Sequence, residues 1–235
     1  MTLEATGVLT GPVDLAEQVI WGPLRLWQQD GRIRFEMNVE IDDRPAEEME
    51  VLVQRVGPAV RAAVAAASGA AVDVDVSGWS YPTGELRRVG STLRTGWAIH
   101  VSLQADTAPQ AESALKAVLG GSDPRLADLY EVYLLGVQAV QTIAPVVGLW
   151  AFATVLEEDS PSGKSNLQHL PALAEQLRAE GQAVPPTPER KPDRIRAAAL
   201  HPTPKDPLPT AEEVAWFQEL AMAYLVRRAS RGPQR

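Results

Sequence analysis

The sequence predicts an α+β protein: a small antiparallel sheet with one packed helix at the N-terminus, followed by an all-α helical bundle. Residues 32–41 alternate strictly between polar and apolar side chains, which is typical of a strand with one buried face. From about residue 108 onward, apolar residues recur every three or four positions, as on one face of a helix. We therefore predict two domains, residues 1–107 and residues 108–235.

A β-hairpin is the clearest element of the predicted sheet. Asp30-Gly31 is a preferred pair for a two-residue hairpin turn, and it directly precedes the alternating strand. Pairing across this turn sets Leu26 opposite Phe35. The next inward pair is Leu24 and Met37, so apolar side chains meet apolar side chains throughout this register.

One helix and two further strands complete the predicted N-terminal domain. Residues 46–67 carry an apolar stripe at helical spacing, which we expect to be kinked or broken at Gly57-Pro58 and to end at Gly69. Alternating apolar residues then predict strands at about 72–76 and 97–104. The resulting order, strand–strand–helix–strand–strand, favours an antiparallel sheet with a helix on one face.

The rest of the chain reads as helices with short connections. Val184-Pro-Pro-Thr-Pro188 is too rich in proline for a helix and predicts an extended connector. Thr210 and Glu213 have the spacing of a capping box at the start of the last helix. The predicted helices cover about 111–119, 126–141, 145–157, 166–179, 192–200 and 210–228.

The composition disfavours or excludes several classes of function. The formal net charge of −8 disfavours a general nucleic-acid binder, although a local basic patch is compatible with it. The absence of cysteine excludes disulfides and thiolate chemistry and fits a cytoplasmic protein. We predict no signal peptide and no membrane association, because the longest apolar run, residues 143–156, is short and interrupted. The basic segment at residues 227–235 is interpreted as a solvated tail.

Arg196 and His201 are the main candidates for chemistry. Five residues correspond to about 140° around a regular helix, so the two side chains converge only if the helix ends before His201. Pro202 favours such an end, because the residue before proline is disfavoured in the α region. Histidine transfers protons near neutral pH and arginine holds phosphate, so the pair suits metal-free RNA cleavage with the 2′-hydroxyl as nucleophile. The alternative is a surface arginine and a histidine at a helix C-terminus.

The helical region also resembles a known family. Arg196-Ala-Ala-Ala-Leu-His201-Pro202 is similar to the Arg-x4–6-His motif of HEPN domains, the higher eukaryotes and prokaryotes nucleotide-binding domains. Trp150-Ala-Phe-Ala-Thr-Val-Leu-Glu157 resembles the aromatic and leucine-glutamate helix of such domains. The proline-rich connector resembles that of bacterial members with an added N-terminal region, often labelled MauJ-like. The resemblance covers about residues 125–228.

This resemblance implies a function, a site and partners. It implies a metal-independent endoribonuclease in stress response or defence, with Arg196 on the scissile phosphate and His201 as the acid–base group. It also implies that Glu157 ties to Arg196 inside the bundle, and that two copies dimerise through the helical domain so that their motifs line one cleft. RNA is the implied ligand, and no cofactor is expected.

Ala197 departs from the family pattern. Active HEPN ribonucleases usually carry a polar residue, often asparagine, directly after the arginine, where it helps orient the site. The alternative function is therefore a non-catalytic RNA- or protein-binding accessory module on a HEPN-like scaffold. In that case the N-terminal domain carries recognition.

Other candidate motifs point to no additional site. His100 and His169 have no Asp or Glu at metal-ligand spacing from both, so we predict no metal site. Pro161-Ser-Gly-Lys-Ser165 lacks the first glycine of a phosphate-binding loop. Apart from the resemblance, Glu157 and Glu158 read as solvated residues near a helix end. The tryptophans read as core or interface residues.

Overall fold

The computed structural model describes residues 2–40, 46–80, 101–103, 107–120, 124–160 and 167–231. The described strands are β1 (Thr2–Thr10), β2 (Val13–Leu15), β3 (Val19–Trp21), β4 (Leu24–Gln29), β5 (Arg32–Glu40), β6 (Asp73–Ser80) and β7 (Val101–Leu103). The described helices are α1 (Ala46–Ser68), α2 (Ala108–Gly120), α3 (Pro124–Thr142), α4 (Pro145–Glu157), α5 (Leu170–Ala179), α6 (Pro192–Leu200) and α7 (Ala211–Arg231). The fold is α+β, as predicted.

The chain divides into two compact units, which we call the sheet unit (Met1–Gly121) and the helical unit (Ser122–Arg235). This division falls later than the boundary predicted between residues 107 and 108. The difference is α2, which packs against α1 and β3 and so belongs to the sheet unit.

The main sheet has the strand order β3-β4-β5-β1-β6, with antiparallel neighbours. The predicted hairpin is confirmed, because Leu26 pairs with Phe35 and Leu24 with Met37. Both turn residues have positive φ, 53° at Asp30 and 71° at Gly31, which a two-residue turn requires when its twist matches that of the strands.

The sequence interpretation missed β1, although this strand lies between β5 and β6 in the sheet. Its inward residues include Ala5 and Gly7, which contribute little to an apolar alternation. Gly7 is required there, because a side chain at this position would overlap the Phe35 ring and the backbone of β6. This interior strand therefore has no room for a side chain at Gly7, where it lies against Phe35 and β6.

α1 corrects a second expectation in part: of the predicted kink or break at Gly57-Pro58, the break is absent, because the helix continues through Pro58. Proline removes one backbone hydrogen bond from a helix interior, but this helix is buried on both sides of it. Val56 and Ala59 are fully buried, so tertiary packing maintains the helix. The predicted end is confirmed at Gly69, which has φ of 66° and donates its N–H to Ala65 O at 2.8 Å.

The strands predicted after α1 are described only in part. β6 confirms the first of them, and it starts at Asp73. Of residues 97–104, the structure describes 101–103, which form β7 and pair in parallel with β2. The rest of that predicted strand, including His100, lies outside the described residues, and so does Ile41 at the end of the strand predicted over residues 32–41.

In the helical unit, α3 and α4 pack closely, and α7 packs against both. The predicted capping box is confirmed: Thr210 N–H donates to Glu213 Oε2 at 2.8 Å, and Glu213 N–H donates to Thr210 Oγ1 at 3.2 Å. The interpretation of residues 227–235 as a tail is wrong for its first part, because α7 runs on to Arg231 and buries Arg227. Every helix in the described ranges is too short or too polar to cross a lipid bilayer.

Candidate functional site

α4 positions two of the residues that frame the candidate site. Trp150 and Glu157 are seven residues apart, which is about two helical turns, so both lie on the same side of α4. The helix spans Pro145–Glu157 as predicted, with Pro145 in its first turn, where its missing N–H costs no hydrogen bond. Its other side is buried against α3 and α7.

α6 brings Arg196 to that side of α4. Ile195 and Ala198 are buried, and α6 packs against α4. The Arg196 guanidinium pairs with Glu157 Oε1 and lies 5.7 Å from the centroid of the Trp150 ring. The contact between Glu157 and Arg196 that the family resemblance implied is therefore present in the structure.

This ion pair is only partly exposed, with 18% of the Arg196 side chain and 26% of the Glu157 side chain accessible. A pair shielded to this degree is screened less by salt than a surface pair and is costly to break, because the remaining charge stays partly desolvated. The Trp150 ring adds a cation–π contact to the same guanidinium. Arg196 is thus held from two directions.

His201 lies at the end of α6, outside this cluster. α6 spans Pro192–Leu200 as predicted, and His201 leaves the α region with φ of −130° and ψ of 66°. Its N–H donates to Ala197 O at 2.9 Å, while its side chain is exposed and makes no hydrogen bond or ion pair with any described residue. The structure therefore brings Arg196 and Glu157 together and leaves the His201 imidazole at the surface.

The acidic end of α4, residues 157–159, is a centre of charge pairing. Three consecutive carboxylates at a helix C-terminus oppose the negative end of the helix dipole, so they require nearby cations. The cations come from three other helices: Arg125 of α3, Arg196 of α6, and Arg227 and Arg228 of α7. The acidic end therefore links α4 electrostatically to each of these helices.

Arg227 is the most deeply placed of these cations. It is 7% exposed, which is exceptional for an arginine, and pairs with Asp159 at 3.3 Å and with Glu180 at 3.9 Å. Its guanidinium also lies 5.8 Å from the centroid of the Tyr224 ring. Burial raises the pKa of the Tyr224 hydroxyl, whereas the hydrogen bond from Arg228 works in the opposite direction.

The segment after His201 is fixed at its far end. Arg190 Nε donates to Glu213 Oε1 at 2.8 Å and its Nη1 donates to Pro207 O at 2.6 Å. Within the segment, Thr203 N–H donates to Asp206 O at 2.8 Å, which closes a turn. The exposed connection that begins at His201 therefore returns to the capped start of α7.

Sequence reasoning found Arg196, Glu157 and His201 but missed the role of Trp150 and the arginines of α3 and α7. The spacing of Trp150 and Glu157 was an available signal, because it places both on one helix side. The interpretation of Glu157 as a solvated residue is wrong, since its side chain is partly buried in an ion pair. Glu158 is exposed, as interpreted, and pairs with Arg125. These pairs join residues far apart in sequence, so local patterns do not reveal them.

Within the described residues, the remaining motifs give no second centre. His169 Nε2 lies 3.3 Å from Leu156 O, near the last turn of α4. Among the residues that the structure describes, no group of three His, Asp or Glu side chains is arranged to hold a metal ion. His100 and the segment at residues 161–165 lie outside the described residues.

Comparisons with protein-family models, with curated proteins and with solved structures found no match to this chain.

Proposed function

We propose that the helical unit is a HEPN-like, metal-independent endoribonuclease with Arg196 and His201 as its site residues. The observation that carries the proposal is the placement of Arg196: Glu157 and Trp150 hold its guanidinium on the helix that ends at the exposed His201. A fixed cation and an accessible imidazole on one helix are the components that metal-free phosphodiester cleavage needs.

The proposed reaction is a transesterification. His201 takes the proton of the ribose 2′-hydroxyl, and the 2′-oxygen attacks phosphorus. The bond from phosphorus to the 5′-oxygen breaks, and the leaving oxygen takes up a proton from the protonated His201 of the second copy. Arg196 binds the phosphate oxygens and stabilises the charge that develops on them. The products are a 2′,3′-cyclic phosphate and a 5′-hydroxyl.

A homodimer is part of this proposal. One imidazole cannot be the base and the acid at the same instant, whereas two copies that face each other supply one group for each step. The family resemblance supports this arrangement, and so does the exposure of Leu200 beside His201, where 58% of an apolar residue is accessible. A cytoplasmic location, where RNA is abundant, also belongs to the proposal.

The test is cleavage of end-labelled RNA in the presence of a chelator. We expect His201→Ala and Arg196→Ala to lower the cleavage rate by about 100-fold or more each. Arg194→Ala is the matched control, because Arg194 lies on the same helix with its side chain exposed. Equal cleavage by wild type and His201→Ala, or no cleavage by either, would remove the enzyme proposal.

The second candidate function is a non-catalytic accessory module on the same scaffold. Two observations favour it: Arg196 is already engaged by a carboxylate, and Ala197 stands where active members carry a polar residue. In such a module Arg196 serves stability and His201 has no role. Ala197→Asn separates the two candidates, because it should raise cleavage by a weak enzyme and leave a non-catalytic module inactive.

A further inference from the structure

The outer face of the main sheet carries an aromatic and arginine cluster that the proposed site does not use. Along β4 and β5, inward residues such as Leu26 and Phe35 are fully buried, and the alternate residues point to the opposite face. We call five of these the Trp27 face: Arg25, Trp27, Gln29, Arg32 and Arg34. None of them is buried.

Strand pairing concentrates these side chains. Trp27 lies directly opposite Arg34, and Gln29 lies opposite Arg32. Side chains opposite one another on one face of a sheet are about 5 Å apart at Cβ. Arg25, two residues before Trp27, places its guanidinium 5.7 Å from the centroid of the indole ring. Three arginines thus surround one flat aromatic surface, and one carboxylate, Glu36, lies opposite Arg25 beside them.

The charge of the outer face is uneven. The arginines lie towards the hairpin end of β4 and β5, where Glu36 lies opposite Arg25, whereas Glu4 and Glu40 lie towards the other end of β1 and β5. Asp73 and Asp75 of β6 share this face through their pairing with β1. Screening limits the reach of a surface charge to about 8 Å at physiological ionic strength. Asp73 and Asp75 are two strand spacings, about 10 Å, from β5, so a phosphate beside Trp27 meets three arginines and one neighbouring carboxylate, Glu36.

We propose that the Trp27 face docks single-stranded RNA, with a base stacked on Trp27 and neighbouring phosphates held by Arg25, Arg32 and Arg34. Single strands combine flat bases with closely spaced negative charges, and this surface combines a ring with closely spaced positive charges. The bases of a duplex are stacked on each other and cannot reach the ring. The choice of RNA rests on the proposed function of the helical unit.

The test is fluorescence anisotropy with the full-length protein and a labelled single-stranded RNA of about 10 nucleotides. Every 2′-hydroxyl of the probe is methylated, so cleavage cannot consume it. We expect Trp27→Ala to weaken binding about tenfold and Trp27→Phe, which keeps a ring, to retain most of it. Removing Arg32 and Arg34 together should lower the salt slope of log K by about 1.4.

Glu4→Gln and Asn38→Ala are the matched controls, because both residues lie on the same face away from the arginines. We expect neither to weaken binding. Circular dichroism and thermal melting show whether each variant is folded. If Trp27→Ala is unfolded, the double variant at Arg32 and Arg34 keeps the test decisive, because neither side chain is buried. The same strand as DNA and as duplex RNA should bind more weakly.

The outcomes separate this proposal from the ribonuclease proposal. Loss of probe binding in the Trp27 and arginine variants supports docking even if the wild type cleaves no RNA. Cleavage that needs His201, together with probe binding that ignores Trp27, overturns docking and leaves the ribonuclease standing. Three other results would overturn docking as well. These are no binding of the RNA probe, tighter binding of the same strand as DNA, and competition by polyglutamate that equals competition by RNA.

Discussion

The two units of this protein use arginine in opposite ways. In the sheet unit, Arg25 and Arg32 stand on an exposed sheet face around an aromatic ring. In the helical unit, Arg196 and Arg227 are drawn inward onto carboxylates at the end of α4 and beside it. The same residue type therefore lies on an open surface in one unit and is anchored by carboxylates in the other.

The difference teaches that an arginine cannot be assigned a role from its residue type or from a motif. The strand residues alternate, so each second side chain reaches the surface whatever the core requires. The helix residues meet three consecutive carboxylates whose charge must be balanced. Replacing one arginine at a time and measuring the change in stability therefore tests this difference between the units.

The largest effect is expected for Arg227→Ala. The substitution leaves Asp159 and Glu180 without their shared cation, and we expect a loss of about 3 kcal/mol in the free energy of unfolding. This value lies at the lower end for a buried pair because both carboxylates retain some access to water. Urea denaturation measures it. Arg228→Ala is the control, with an expected loss of about 1 kcal/mol, and equal losses would contradict a special role for Arg227.

Arg196→Ala should have the next largest effect, a loss of about 2 kcal/mol of unfolding free energy, because Glu157 remains partly buried after it loses this cation. Arg194→Ala should change stability by less than about 0.5 kcal/mol, since that side chain is exposed. A double-mutant cycle with Glu157→Ala isolates the pair, and we expect a coupling of about 1 kcal/mol or more. A coupling near zero would mean that the ion pair does not hold Arg196.

These pairs also mark where sequence reasoning succeeds and fails. The spans of α4 and α6 and the capping box of α7 were predicted because proline, spacing and caps act within a few residues. β1 was missed because its inward Ala5 and Gly7 weaken the alternation. Of the kink or break predicted at Gly57-Pro58, the break was wrong, because burial on both sides maintains α1.

The candidate site was predictable only in part, for a related reason. Arg196 and Glu157 are 39 residues apart, and their contact exists only once α4 and α6 pack together. The family resemblance implied that contact, whereas composition and local spacing indicated solvated carboxylates. The residues of the Trp27 face are close together in sequence, so alternation and the hairpin register predict which side chains share that face. Its exposure required knowing which sheet face the core uses.

An effect of about 1 kcal/mol is expected from two buried tyrosines of the helical unit. Burial raises the pKa of Tyr130 and of Tyr133, so the folded state keeps both phenolic protons when the unfolded state loses them. Their contribution to stability is present below pH about 10 and is lost as the pH rises further. The free energy of unfolding should therefore fall between neutral pH and pH about 11 in both proteins. We expect this fall to be about 1.4 kcal/mol smaller for Tyr130→Phe than for wild type.

The same tyrosines differ at neutral pH, which gives an internal control. Tyr133 is hydrogen-bonded to Gln218, whereas the Tyr130 hydroxyl has no partner among the described residues. Tyr133→Phe should thus cost about 1 kcal/mol, while Tyr130→Phe should be neutral or stabilising. Thermal denaturation across pH measures both effects. A pH dependence that is identical in wild type and both variants would exclude the tyrosines as its source.

The smallest effect on stability is expected from the exposed arginines of the sheet unit. Arg25→Ala and Arg32→Ala should each change the free energy of unfolding by less than about 0.5 kcal/mol, because neither side chain is buried. Phe35→Ala, on the opposite face of the same hairpin, should cost about 3 kcal/mol or more. Urea denaturation of all three variants compares the two faces directly. A loss above about 1 kcal/mol for either arginine would mean that it stabilises the fold, as Arg196 does through Glu157. Unchanged stability combined with weaker RNA binding would instead show that this unit exposes its arginines for a ligand.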